Sequence, residues 1–199
     1  MRKSKMLKLD RQLRPWLKYY GNIPANLEYP DYSMVDMIIH AAQKYPDNIA
    51  YTYYGSKVTF KEFVQRIKRT AKALKNYGVK ENDKVTICMP NTPEGVMTFY
   101  AVNKIGAVAN MIHPLSSEKE IEFYVNNVES KFILTVDVAC QKILNIVENT
   151  SLEKVVVASA SASMNPVMSG LYYVTEGRKI KYKKADKNLL IEWKDFISL

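Results

Sequence analysis

At 199 residues and 47% apolar composition the chain is long enough for one good core. It has no run of eighteen apolar residues and no apolar block behind its Met-Arg-Lys-Ser-Lys start, which predicts neither a membrane span nor a secretory leader and hence a cytoplasmic protein. The net charge of +9 is confined to the ends. Residues 1–20 carry seven Lys/Arg against Asp10, residues 176–199 carry seven against four acids, and the body between them carries fifteen of each sign, so no continuous basic stripe exists and nucleic acid is not an expected partner.

In the first segment Met6, Leu9, Leu13, Trp16 or Leu17, and Tyr20 recur at three- and four-residue steps with Arg2, Lys5, Lys8 and Arg11 between them. This predicts a basic amphipathic segment over 1–20, broken at Pro15, that either docks on the domain or makes weak contact with an anionic membrane surface. Met34 to Lys44 reads as a helix, and Ile49–Tyr53 with Lys57-Val58 reads as a small hairpin around Gly55-Ser56. From Thr59, Phe60, Phe63, Ile67, Ala71, Leu74 and Tyr77 line one helical face. Thr59 with Glu62 predicts a capping box, Val58 with Phe63 a hydrophobic staple, and Gly78 the left-handed residue that ends the helix.

Val85–Met89 is a short β-rich apolar run and predicts a buried strand. A second helix follows, with Thr92 as cap, Pro93 at its first position and Glu94 in the first turn as a partner of the helix dipole. It is apolar around most of its circumference, so sheet or other helices must cover it, and Gly106 ends it. Ala107–Ile112 is the next strand, Ser117 and Glu120 cap a further helix, Phe132–Val136 is a strand, a helix occupies about 138–148, and Val155–Val157 is a fourth strand. Alternation of this kind predicts an α/β fold, a parallel sheet of about four or five strands with right-handed crossovers and helices on both faces, preceded by a helix and the hairpin. The expected organisation is residues 1–20 as the basic segment, 21–158 as the α/β subdomain and 159–199 as an irregular basic excursion that ends in a short element around Trp193 and Phe196.

Cys88 in a strand pattern and Cys140 in a helix read as buried free thiols, with no disulfide or zinc spacing. The seven glycines are Gly21, Gly55, Gly78, Gly95, Gly106, Gly170 and Gly177, and the closest pair is seven residues apart. Neither the P-loop spacing nor G-x-G-x-x-G can be written with them, so no phosphate-cradling loop is expected.

Taken together, Tyr45-Pro46-Asp47, Val58–Phe63, Gly78-Val79 with Asp83, Met89–Glu94, Lys104–Val108 and Pro114-Leu115 ahead of Glu118–Glu120 give the chain its resemblance to the first part of the adenylate-forming acyl-CoA synthetases, the AMP-binding ligase superfamily. Ser161–Pro166 and Tyr173–Lys179 resemble the branch that handles medium- or long-chain fatty acids. The resemblance implies that a full-length parent joins a fatty acid to CoA using ATP and Mg²⁺, through an acyl-adenylate, with ATP, Mg²⁺ and CoA as its cofactors and none of them held by this fragment. The family's Pro-Lys-Gly phosphate loop, its Tyr-Gly-x-Thr-Glu motif and its carboxy-terminal domain with the adenylation lysine have no counterpart here. No catalytic, cofactor-binding or metal-binding residue is therefore assigned. Tyr173-Val174-Thr175-Glu176 is one residue short of the adenine motif and is read as a decoy. His113 is read as structural or solvated, and Asp83 as a turn residue.

Three readings follow. The first is a catalytically silent amino-terminal fragment, whose partner is the rest of its own chain and which self-associates through exposed apolar surface. The second is a closed interaction module. The third is an acyl-chain or nucleotide binder without chemistry.

Overall fold

The computed structural model describes residues 14–183, 186 and 188–198. Met6, Leu9, Leu13 and the basic residues Arg2, Lys5, Lys8 and Arg11 of the expected amphipathic segment lie outside the described residues. The chain divides into two units, one through Tyr32 and one from Ser33. Within the first, Pro15 opens a short 3₁₀ helix, Pro15–Tyr19, where its fixed φ is compatible with the first position. Arg14 Nη1 donates to Asn26 Oδ1 at 3.0 Å.

The second unit opens with α1 (Met34–Lys44), started by a capping box between Ser33 and Asp36. The hairpin strands are β1 (Ile49–Tyr53) and β2 (Ser56–Thr59). Their turn is Tyr54-Gly55, one residue earlier than the sequence suggests, with both residues at positive φ (41° and 81°). Two-residue hairpins favour that geometry because its twist matches the strands, and Gly55 adopts it without cost.

Thr59 then caps α2 (Phe60–Asn76) as expected: its N–H and hydroxyl donate to Glu62 Oε2 at 2.8 and 3.1 Å, and the Glu62 N–H returns to Thr59 Oγ1 at 3.3 Å. Thr59→Ala removes the cap and is expected to cost about 1 kcal/mol. Calorimetry should register that as a fall in Tm of roughly 2–4 °C at this chain length.

The remaining elements are β3 (Lys84–Cys88), α3 (Pro93–Lys104), β4 (Val108–Met111), α4 (Glu118–Asn127), β5 (Phe132–Val136), α5 (Asp137–Ile146), β6 (Lys154–Ala158), α6 (Pro166–Thr175), β7 (Leu190–Glu192) and α7 (Trp193–Phe196). The five strands β3 to β7 form one parallel sheet in the order β4-β3-β5-β6-β7. β5 is buried at all five positions, which is why its sequence is a continuous apolar run rather than an alternating one. The two-residue period still sorts its side chains. Phe132, Leu134 and Val136 join Val85, Ile87 and Val156 in a core with α1, α2, α3 and α7. Ile133 joins Cys88 and Val155 in a second core with α4 and α5.

One expectation is corrected and one is extended. The stretch from Ser159 is not wholly irregular, because it contains α6. Asn165 caps that helix and Pro166 takes its first position, the same start signal as Thr92-Pro93. The terminal element around Trp193 and Phe196 is the turn that follows a fifth sheet strand, β7, and both aromatics are buried. The all-round apolar α3 is covered chiefly by α2 and further by α1, β3 and β4, with Met97, Thr98, Ala101 and Val102 buried and Val96 exposed.

Cys88 and Cys140 are buried free thiols. Burial pushes them up to about 11 and about 12, so both are neutral at physiological pH.

Candidate functional site

The order of the sheet decides where a ligand would be held. From β3 the chain crosses one way to β4 and then back over β3 to β5, so the topological switch point lies between β3 and β5, and in open α/β sheets the crevice above the carboxyl ends of the strands is where ligands bind. A cavity of about 520 Å³ opens to one side of that point, at the carboxyl ends of β6 and β7. Arg66, Arg69 and Thr70 from α2, Glu94 and Met97 from α3, Ser159, Ala162 and Ser163 beyond β6, and Glu192 to Lys194 at the β7–α7 junction contribute to its lining. Arg66 and Arg69, three apart, project from one face of their helix. A second hollow of about 370 Å³ is aromatic and apolar, with Tyr51, Phe63, Val96 and Tyr100 among its walls.

Glu94 is the unusual residue of the larger cavity. It stands where the sequence places it, in the first turn of α3, but it is only 1% exposed. The Ser163 hydroxyl donates to its Oε1, and its Oε2 has no hydrogen-bond partner. Burial is the largest influence on its carboxyl and raises it above the usual carboxylate range, against the smaller lowering effects of Ser163 and the Arg66 guanidinium. The neighbouring Tyr53 phenol donates to Ala160 O at 3.2 Å and is pushed up to about 12, by burial first and then by the Glu94 charge. The signal for Glu94 was present in the sequence: a carboxylate on a helix that is apolar all round has little solvent to face.

Opposite Glu94, Arg66 Nη1 donates to the Tyr51 hydroxyl at 3.3 Å, and Glu192 Oε1 accepts from the Tyr182 hydroxyl at 2.8 Å. The lining thus combines three cations (Arg66, Arg69 and Lys194) with two carboxylates. That set can hold a polar ligand.

The residues weighed on sequence grounds fall elsewhere. His113 is exposed, and its Nδ1 accepts the Leu115 N–H at 3.2 Å, holding the loop after β4. Asp83 Oδ2 accepts the Lys80 N–H at 2.7 Å, a turn contact. Tyr173, Val174 and Thr175 form the last turn of α6, where the Thr175 hydroxyl donates to Leu171 O at 3.0 Å.

Among the described residues no group of three or more His, Cys, Asp or Glu is disposed to hold a metal ion. At the amino end of α3 the Gly95 N–H is taken by Thr92 Oγ1, and the Glu94 carboxyl stands where a phosphate would gain from the dipole.

Residues 38–187 match the sequence model of the AMP-binding enzymes. The chain belongs to this family. Among its curated AMP-binding relatives, the long-chain-fatty-acid–CoA ligase of Bacillus subtilis (strain 168) is 26% identical over 168 residues, 84% of this chain and 30% of that protein. The enzyme of the same name from Salmonella typhimurium is 28% identical over 144 residues, 71% of this chain and 26% of the relative. The chain therefore spans less than a third of the length of these relatives. Among solved structures, the anthranilate CoA ligase AuaEII in complex with anthranoyl-AMP superposes with a TM-score of 0.67 at 20% identity, over 84% of this chain and 28% of that one. A long-chain-fatty-acid-CoA ligase from Archaeoglobus fulgidus gives 0.63 at 22% identity, over 84% of this chain and 35% of the other. At such identities the likeness is one of fold, and it bears out the parallel sheet expected from the sequence.

Proposed function

We propose that these residues form the amino-terminal sheet of an ATP-dependent fatty acid–CoA ligase, which converts acid, ATP and CoA to acyl-CoA, AMP and diphosphate, and that the 199 residues do not turn over on their own. One observation carries the reading: curated relatives that share over 70% of this chain are fatty acid–CoA ligases, yet those shared residues amount to at most 30% of each relative. The Glu94 carboxyl supports the second half, because it occupies the amino end of α3, where the helix dipole would otherwise favour a phosphate. In this reading the role of the Glu94–Ser163 contact is to fix the segment beyond β6 against α3, so that the carboxyl edge of the sheet presents one wall to the remainder of the enzyme.

Isothermal titration of the 199-residue chain with Mg·ATP, and separately with a fatty acyl-adenylate analogue, is expected to give no heat of binding. Saturable binding in the micromolar range to either ligand would contradict the silent-fragment reading and would favour a self-sufficient nucleotide or acyl binder.

A further inference from the structure

The helix α6 turns apolar side chains outward. It is ten residues long, has no charged side chain, and buries none of its residues. Val167, Leu171 and Val174, spaced four and three apart and hence on one face, are 78%, 55% and 57% exposed, while Met168, Ser169 and Tyr172 on the opposite side are half-buried. The helix is held in this attitude from its start. Asn165 Oδ1 accepts the Met168 N–H at 2.8 Å, and the Asn165 N–H reaches Tyr54 O at 3.4 Å on the hairpin turn.

Directly after α6 come Glu176 and then Arg178, Lys179, Lys181 and Lys183, all four bases exposed. The two features adjoin physically as well as in sequence, because the Arg178 guanidinium lies 5.5 Å over the ring of Tyr173, itself 59% exposed. We propose that the outward face of α6 and this basic run form a docking surface for an anionic lipid bilayer. An apolar stripe that enters the acyl boundary, flanked by cations at headgroup level, is the arrangement interfacial helices use. A second copy of the chain is a poorer occupant, since a self-complementary contact over this face would bring the two basic runs together.

The test is co-sedimentation of the full 199-residue chain with vesicles of phosphatidylcholine alone and of phosphatidylcholine with a quarter phosphatidylglycerol, at low and high salt. Binding is expected to the anionic vesicles only and to weaken with salt. Replacing Arg178, Lys179, Lys181 and Lys183 by Ser should lower the partition coefficient by roughly 100-fold or more, given the attraction each base has for an anionic surface. Leu171→Asp with Val174→Asp should lower it by at least about 10-fold while the Tm stays unchanged, because both positions are exposed. Should that pair disturb the helix, Leu171→Trp gives an independent readout, a blue shift of emission on anionic vesicles beyond that of the unsubstituted chain. The proposal is overturned by the absence of vesicle binding, by binding that survives the α6 and basic-run variants, or by binding lost only when the bases of residues 2–18 are neutralised. Self-association abolished by the Asp pair would overturn it equally, in favour of a second copy.

Discussion

Phe196→Ala is expected to lower the stability of the second unit by about 3–5 kcal/mol, the range for deleting a buried aromatic ring. For a chain of this size that corresponds to a fall in Tm on the order of 6–20 °C. The expectation rests on where the ring sits. Phe196 is fully buried, stacks on Tyr77 at 5.5 Å between centroids with an interplanar angle of 30°, and lies 6.1 Å from Phe132 and 5.5 Å from Trp193. A four-residue helix has no stability of its own. Its place is fixed by what Trp193 and Phe196 bury, so the measurement also tests whether β7 and α7 belong to the core of the sheet. An unfolding free energy from urea denaturation within about 1 kcal/mol of that of the unsubstituted chain would mean that they do not.

Much of the fold was legible because local signals agreed with one another. Around α2 the capping box, the staple and the apolar stripe each point to the same start and the same buried face, and Phe63, Ile67 and Leu74 are buried as that stripe requires. β5 could be read from composition alone, since five consecutive apolar or β-branched residues bounded by polar ones suit only a strand covered on both faces. β7 was less legible. Three residues carry no period, and what makes Leu190–Glu192 a strand is the exposed edge of β6 beside it, a long-range fact. α6 was hidden for the opposite reason: its cap and proline are local and plain, but its apolar residues face outward, so a search for an inward stripe passes over it. The candidate site was legible only in part. Thr92, Pro93 and Glu94 were read correctly as a helix start, whereas the meeting of Glu94 with Ser163, 69 residues later, depends on how β6 and the loop beyond it fold back over α3. Arg66 and Arg69 lie off the apolar stripe of α2, and several of the residues that make a cavity around them arrive from beyond β6.

Glu94 sets an expected dependence of stability on pH. Its carboxyl is raised in the folded state, by burial first, so the folded chain holds this proton more tightly than the unfolded chain does. Stability from this group is therefore fully present below the ordinary glutamate pKa and is lost as pH rises through the higher folded value. Asp36, Glu62 and Glu120 act in the opposite sense: capping contacts with Ser33, Thr59 and Ser117 hold them low, and what they contribute is lost as pH falls. The Glu94→Gln variant shares those capping groups, so the difference between the two stability curves isolates Glu94. The unsubstituted chain is expected to lose stability relative to Glu94→Gln as pH is raised above the ordinary glutamate range, most steeply before the buried carboxyl releases its proton and levelling off once it has. Ser163→Ala should sharpen the loss, because it removes the one hydroxyl donated to this carboxyl, and an unpartnered buried polar group costs about 1–3 kcal/mol. In the Glu94→Gln background the same serine change should have a smaller effect, since no charge is left to orphan. Urea denaturation of the four proteins between pH 4 and pH 9 measures both. Parallel curves for the unsubstituted chain and Glu94→Gln would show that Glu94 titrates as a solvated side chain, and the carboxyl could then no longer be counted as the buried acceptor of the cavity.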